Sequence, residues 1–255
     1  MHITSTRERL LNSSTILLRK DFLASSRLIA RRARTSRTSI SRIFGTVENF
    51  RDLILRDLQQ KSQLASVKQA GIDLLDLLPK EIESKPLHIH PIGAKLVLWC
   101  QPGTRRGGRI FGISINRVVD KVRFIAGMSL YAAEGTTYQG EEGRSVEFVN
   151  SSPSLVRLFL RFLSTLGVSR DRVSCRVELH EGLSVTKAES YWSAQSGIQL
   201  KNFTKAMIKK RPRTSRIPNK NGCLIIKFSN KLLRTLLTEW VSKLEQIVDM
   251  SLERC

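Results

Sequence analysis

Residues 124–135 read Phe-Ile-Ala-Gly-Met-Ser-Leu-Tyr-Ala-Ala-Glu-Gly, an apolar run closed by one carboxylate and one glycine. No charge falls between Phe124 and Ala133, although the chain around this run is rich in arginine and lysine. Gly127, Ser129, Ala132 and Ala133 are small enough for another backbone to approach closely. Helical spacing puts Glu134 at the last helical position, and Gly135 is expected to stop the helix in the left-handed conformation. The pattern predicts a paired-helix interface with a metal-binding carboxylate at its tip.

The downstream half is clearly patterned. Gly140 to Gly143 predicts a turn, and Ser145 to Asn150 alternates as a half-buried strand does. Ser151 or Ser152 is a candidate helix cap, Pro153 suits the first turn, and Gly167 closes an apolar-faced helix. Ser174 to His180 alternates again, Thr186 to Ser196 predicts a short helix with Tyr191 and Trp192, and Cys223 to Ser229 predicts another strand. Asn230 then caps one long predicted helix bearing Leu232, Leu236, Trp240 and Ile247. Helices alternating with strands in this way predict an α+β layer, with helices on one sheet face and the other face free for a ligand.

Gly127-Met-Ser-Leu-Tyr-Ala-Ala-Glu134-Gly135 resembles a degenerate copy of the nine-residue motif of LAGLIDADG homing endonucleases. Val146-Glu-Phe-Val-Asn-Ser-Ser-Pro153, Leu155 to Leu163, Val177-Glu-Leu-His-Glu-Gly182 and Tyr191-Trp192-Ser193 are similar to a bacterial, single-motif branch of that family. The resemblance covers roughly residues 121–250. It implies an αββαββα domain whose helices pack on a saddle-shaped antiparallel sheet lying over the DNA major groove. It implies that Gly127, Leu130 and Tyr131 meet a counterpart motif helix, here in a homodimer, because one motif is visible. It also implies that Glu134 holds a divalent metal such as Mg²⁺ for phosphodiester cleavage of double-stranded DNA. Lys227, in the last strand, is by its position in that fold the candidate to stabilise developing negative charge. The motif's usual central glycine is Ser129 here and its earlier acid is Ala132, so a non-cleaving DNA-binding regulator is the alternative. An RNA-binding splicing helper is a third reading.

The bulk numbers agree with a polyanionic partner. The 255 residues carry a formal charge of +21, with a pI near 10.6, which favours nucleic acid or an anionic surface. No apolar run approaches the roughly 20 residues that span a bilayer, so membrane insertion is not expected. An aromatic share of 6% argues against an RNA-binding sheet built on base stacking. Between Glu189 and Glu239 there is no acid, while Lys201, Lys205, Lys209, Lys210, Arg211, Arg213, Arg216, Lys220 and Lys227 all occur. A loop with this charge density can follow a phosphate backbone without reading sequence. Arg144 and Arg176, on or beside predicted strands, are the candidate readers of base edges, because arginine pairs bidentately with guanine.

The upstream half is less informative. Residues 1–45 hold ten basic residues against Glu8 and Asp21, with much serine and threonine. A poorly ordered extension, an organelle transit peptide and a phosphate-binding arm all fit that composition. Residues 46–120 are expected to contain one or two amphipathic helices over 47–78, then a loop-rich linker with two weak strands, leaving 121–255 as the DNA-binding domain. Arg105, Arg106 and Arg109 form a basic patch in that linker. His88 and His90 alternate ahead of Cys100, a trio whose spacing fits no common zinc template. Four scattered cysteines without a CxxC pair point to reduced, intracellular thiols; the family resemblance implies a bacterial cytoplasm, with organelle targeting by the Arg/Ser-rich start as the other expectation.

Overall fold

The computed structural model describes residues 5–20, 24–61, 71–82, 84–100, 111–135, 145–210 and 219–252. The chain divides into two compact units. Unit 1 comprises Met1–Lys68 with Ser84–Arg117, and unit 2 comprises Gln69–Glu83 with Val118–Cys255. The division departs from the three consecutive segments expected from composition.

Unit 1 begins with α1 (Thr6–Lys20), α2 (Ser26–Arg32) and α3 (Arg37–Phe44) where a poorly ordered extension was expected, followed by α4 (Val47–Lys61) where a helix was expected. Arginine and serine dominate the composition, but the sparse apolar residues fall at helical spacing. Leu10, Leu18, Ile29, Ile40, Phe50, Ile54 and Leu58 are all buried in one cluster. The Ser25 and Ser36 hydroxyls accept from Leu28 N and Ser39 N, capping α2 and α3. The serines therefore work as helix starts, not as linker.

The expected loop-rich stretch is a three-stranded antiparallel sheet: β1 (His88–Ile92), β2 (Lys95–Cys100) and β3 (Phe111–Asn116), in the order β1-β2-β3. Gly93, at φ +57, makes the tight turn between the first two. Arg105, Arg106 and Arg109 lie outside the described residues.

Unit 2 is a mixed α+β layer. Its early segment, read as helical from its leucines, forms a two-residue strand, Ile72–Asp73, paired with Val118–Val119, followed by a 3₁₀ turn at Leu74–Leu77. The Trp240 indole N–H donates to the Leu77 carbonyl at 3.1 Å and ties this segment to the last helices. The sheet has the order β6-β5-β7-β4, built from β4 (Val146–Asn150), β5 (Ser174–His180), β6 (Met207–Lys209) and β7 (Cys223–Phe228). β7 is antiparallel to both neighbours, but β6 runs parallel to β5, so the sheet is not wholly antiparallel.

The helices are α5 (Lys121–Glu134), α6 (Pro153–Thr165), α7 (Val185–Ser196), α8 (Lys231–Ser242) and α9 (Leu244–Leu252). One long C-terminal helix was expected; Lys243 divides it into two. Phe148 of β4 stacks on Phe159 of α6 at 4.3 Å between ring centroids, joining sheet to helices.

α5 lies against α6 through an intrachain close approach. Gly127 is buried, and a Cβ there would overlap the Phe162 ring. Tyr131 is also fully buried, stacked against Phe159. Gly127 and Tyr131, expected at a seam between two chains, thus supply packing within this one. Gly135 is extended at φ −74, ψ 152, not left-handed. It is glycine because a Cβ would run into Tyr131 of the preceding turn.

Two outcomes follow. Gly127→Ala is expected to cost about 1–3 kcal/mol in denaturant unfolding, since the Phe162 ring must move; a neutral result would disprove the close approach. Burial pushes the Cys175 thiol up to about 12. A raised thiol pKa stabilises the fold fully below the unfolded value near 8.5 and loses that contribution as pH rises toward the folded value. Stability should therefore fall by on the order of 2 kcal/mol between about pH 8 and pH 10.5, a decline that Cys175→Ala should shrink.

Candidate nucleic-acid interface

Alternation sorts each strand of the unit 2 sheet. Val146, Phe148, Cys175, Val177, Leu179, Leu224, Ile226 and Phe228 are buried toward the helices. The opposite face presents Glu147 and Val149 from β4, Ser174, Arg176, Glu178 and His180 from β5, and Cys223, Ile225 and Lys227 from β7. Registry then sets the neighbours: Lys227 lies opposite Glu147 on one side and Ser174 on the other, and Ile225 lies between Val149 and Arg176.

Two ion pairs organise this face. Lys227 Nζ is 2.6 Å from Glu147 Oε1, and Lys209 Nζ is 2.7 Å from Glu178 Oε1. Both are cross-strand pairs with half-exposed lysines, so each contributes little to stability, about 0–1 kcal/mol. Their effect is on the field: they cancel the face's two carboxylates. Arg176 remains half-buried, with no ion pair among the described residues.

The rim is basic. From Phe203 to Lys209 the chain follows the edge of β5, bridged at Cys175–Phe203 and held by Thr204 N donating to Cys175 O at 2.7 Å. Lys201, Lys205, Lys209 and Lys210 are exposed along it. Lys220 is exposed in the turn before β7, which is fixed by the Trp192 indole N–H donating to Asn221 O at 2.7 Å. Trp192 thus acts as a strut for the basic turn, a role that spacing does not reveal. Arg144, Arg211, Arg213 and Arg216 lie outside the described residues.

Glu134 ends α5 with its side chain exposed. Gly135 bridges Phe148 on the free edge of β4, so the helix tip abuts the sheet. Burial raises the Cys223 thiol, and the carboxylates of Glu178 and Glu134 raise it further against the opposing Lys209 charge. Among the described residues Lys227 pairs with the Glu147 carboxylate and not with Glu134. No group of three potential metal ligands lies together among the described residues. Elsewhere on α5, Leu130 is half-buried while Ser129, Ala132 and Ala133 are exposed, and Val122 is 75% exposed.

The histidine trio of unit 1 resolves differently from a zinc site. His88 and His90 project from one side of β1 onto Asp52 of α4: His90 Nε2 is 2.9 Å from Oδ1 and His88 Nδ1 is 3.4 Å from Oδ2. His88 also stacks on Trp99 at 3.7 Å. Cys100 is buried. Burial alone would raise the Asp52 carboxyl, but the His90 hydrogen bond and the charges of His90, His88 and Arg56 hold it below the usual range.

No protein-family model matches this chain, and no curated protein or solved structure matches it either. No helix among the described residues is long and apolar enough to cross a membrane.

A depressed carboxylate gives stability that is present above the unfolded pKa, near 3.9, and is lost as pH falls through the folded value. Asp52→Asn should therefore destabilise the protein at neutral pH and flatten its decline below about pH 4. An unchanged acid-unfolding profile would show that the carboxylate does not hold the two imidazoles.

Proposed function

We propose that the protein binds double-stranded DNA through the helix-free face of the unit 2 sheet, in the manner of a LAGLIDADG endonuclease domain. The observation that carries this reading is a sheet with helices confined to one face, an uncompensated Arg176 on the other, and a rim of exposed lysines. The element order from α5 onward supports it: helix, strand, helix, strand, short helix, two strands, then two helices. Residues 136–144, where the family pattern would put its first strand, lie outside the described residues. Lys205, Lys210 and Lys220 would contact phosphates and set the protein's position, and Arg176 would reach a base edge.

A metal-dependent cleaving activity fits one group. Glu134 is an exposed carboxylate with no ion pair among the described residues, a suitable hard oxygen donor for Mg²⁺ alongside substrate phosphates. When bound, the ion would supply Lewis-acid stabilisation of the departing oxygen. One such acid per chain calls for a second copy, which the exposed side of α5 around Ser129 and Ala133 would meet. The second reading, binding without scission, is favoured by Lys227: its ammonium already neutralises Glu147 at 2.6 Å.

Purified protein incubated with pooled duplex DNA and Mg²⁺ separates the two. Under the cleaving reading, strand scission appears and Glu134→Gln abolishes it while leaving affinity within about threefold. Binding with no scission leaves the regulator. Absence of salt-sensitive duplex binding, with Arg176→Ala and Lys205→Ala matching wild type, would sink the DNA reading of this face.

A further inference from the structure

Unit 1 carries a strongly charged surface that the reading of unit 2 does not use. α2 and α3 are joined by residues 33–36, and six arginines project from them: Arg27, Arg31 and Arg32 on α2, Arg34 in the connection, and Arg37 and Arg42 on α3. All six are exposed, and none makes an ion pair among the described residues. No acid occurs between Asp21 and Glu48.

The arginines are held on one side by what is buried on the other. Ile29, Ala30, Ala33 and Ile40 are at most 2% exposed and belong to, or flank, the core of unit 1. Arg27 and Arg31 are one helical turn apart, where like charges weaken a helix. Folding gains nothing from that repulsion; a polyanion would relieve it. The connection adds a second cost. Thr35 N donates to Ala30 O and Arg34 N to Arg31 O, the paired bonds of a Schellman turn. Its left-handed position is normally glycine, yet Arg34 occupies it at φ 53. A strained arginine where glycine would fit better places its charge between two charged helices.

We infer that the α2–α3 arginine surface is a second, sequence-independent phosphate-binding face for duplex DNA. It rests on the DNA reading of unit 2 only for the identity of the polyanion. A membrane surface is disfavoured because the apolar side of these helices is spent in the core, leaving nothing to insert between lipids. Single-stranded nucleic acid is disfavoured because the nearby aromatic, Phe44, packs on Phe50 at 4.7 Å between centroids and is not free to stack on a base. Arginines carried on two packed helices can contact duplex phosphates without reading sequence.

The test measures salt-dependent affinity of the full chain for a labelled mixed-sequence duplex by fluorescence anisotropy. Structured RNA and anionic vesicles serve as the other two ligands. Variants are the triple Arg27→Ala, Arg31→Ala, Arg42→Ala, the single Arg34→Gly, and a unit 2 set of Arg176→Ala with Lys205→Ala and Lys210→Ala. The slope of log affinity against log salt should become less negative by about 2–3 in the triple variant and by about 1 in Arg34→Gly. Arg34→Gly should melt no lower than wild type, since it relieves the turn, so its lost slope is not lost folding. Unchanged slopes in both unit 1 variants overturn the inference, and if the unit 2 set alone weakens binding, the proposed function stands without it. Loss confined to the unit 1 variants supports the inference and sinks the unit 2 reading. Tighter binding to RNA or vesicles that depends on the same arginines overturns duplex DNA as the occupant.

Discussion

The close approach of α5 to α6 is the constraint on which the rest of unit 2 depends. Without a side chain at Gly127, the Phe162 ring occupies the space a Cβ would take, and α5 settles onto α6 with Tyr131 stacked against Phe159. Phe159 in turn stacks on Phe148 of the edge strand β4. One chain of aromatic contacts thus fixes the helix, its neighbour and β4 together. Where α5 ends is then no longer free: Gly135 meets Phe148 at the edge of β4, and Glu134 is delivered to the rim of the sheet. The same packing that builds the core positions the Glu134 carboxylate at its border.

Charge is arranged differently in the two units. On the unit 2 sheet, acids and lysines alternate across strands and cancel in pairs, leaving Arg176 and the edge lysines to set the sign. On α2 and α3 there is no cancellation, because no acid occurs in that stretch. A third arrangement, Asp52 between His88 and His90, is internal to unit 1 and joins α4 to β1. It resembles a ligand set in composition, yet two imidazole nitrogens already point at the two oxygens of one carboxylate, which makes it a structural bond between elements.

Local pattern was enough for much of unit 2. Residues 146–150, 153–165, 174–180, 185–196 and 223–228 alternate or repeat at the helical period, and their elements follow that pattern closely. Pro153 and Gly167, at φ 90, bound α6 where expected. Unit 1 was obscured by composition. Arginine and serine masked apolar residues that are few but correctly spaced, and β2, a continuous buried run from Leu96 to Cys100, has no alternation to read. The 72–78 segment has leucines at helical spacing, but its stability comes from pairing with 118–119 and from the Trp240 bond, both remote in sequence.

Spacing and charge along the chain are enough to put unit 2 in the α+β class, to end α5 at Glu134 and to mark the 201–220 stretch as basic. These follow from nearest-neighbour spacing and side-chain charge, which a linear reading sees. Contacts through space set Gly127 and Tyr131 against α6 of their own chain, neutralise Lys227 with Glu147, and fold the arginine-rich start into helices with one charged side. Each of those depends on which residues distant in sequence become neighbours, because packing and cross-strand pairing act through space and leave no mark on local spacing.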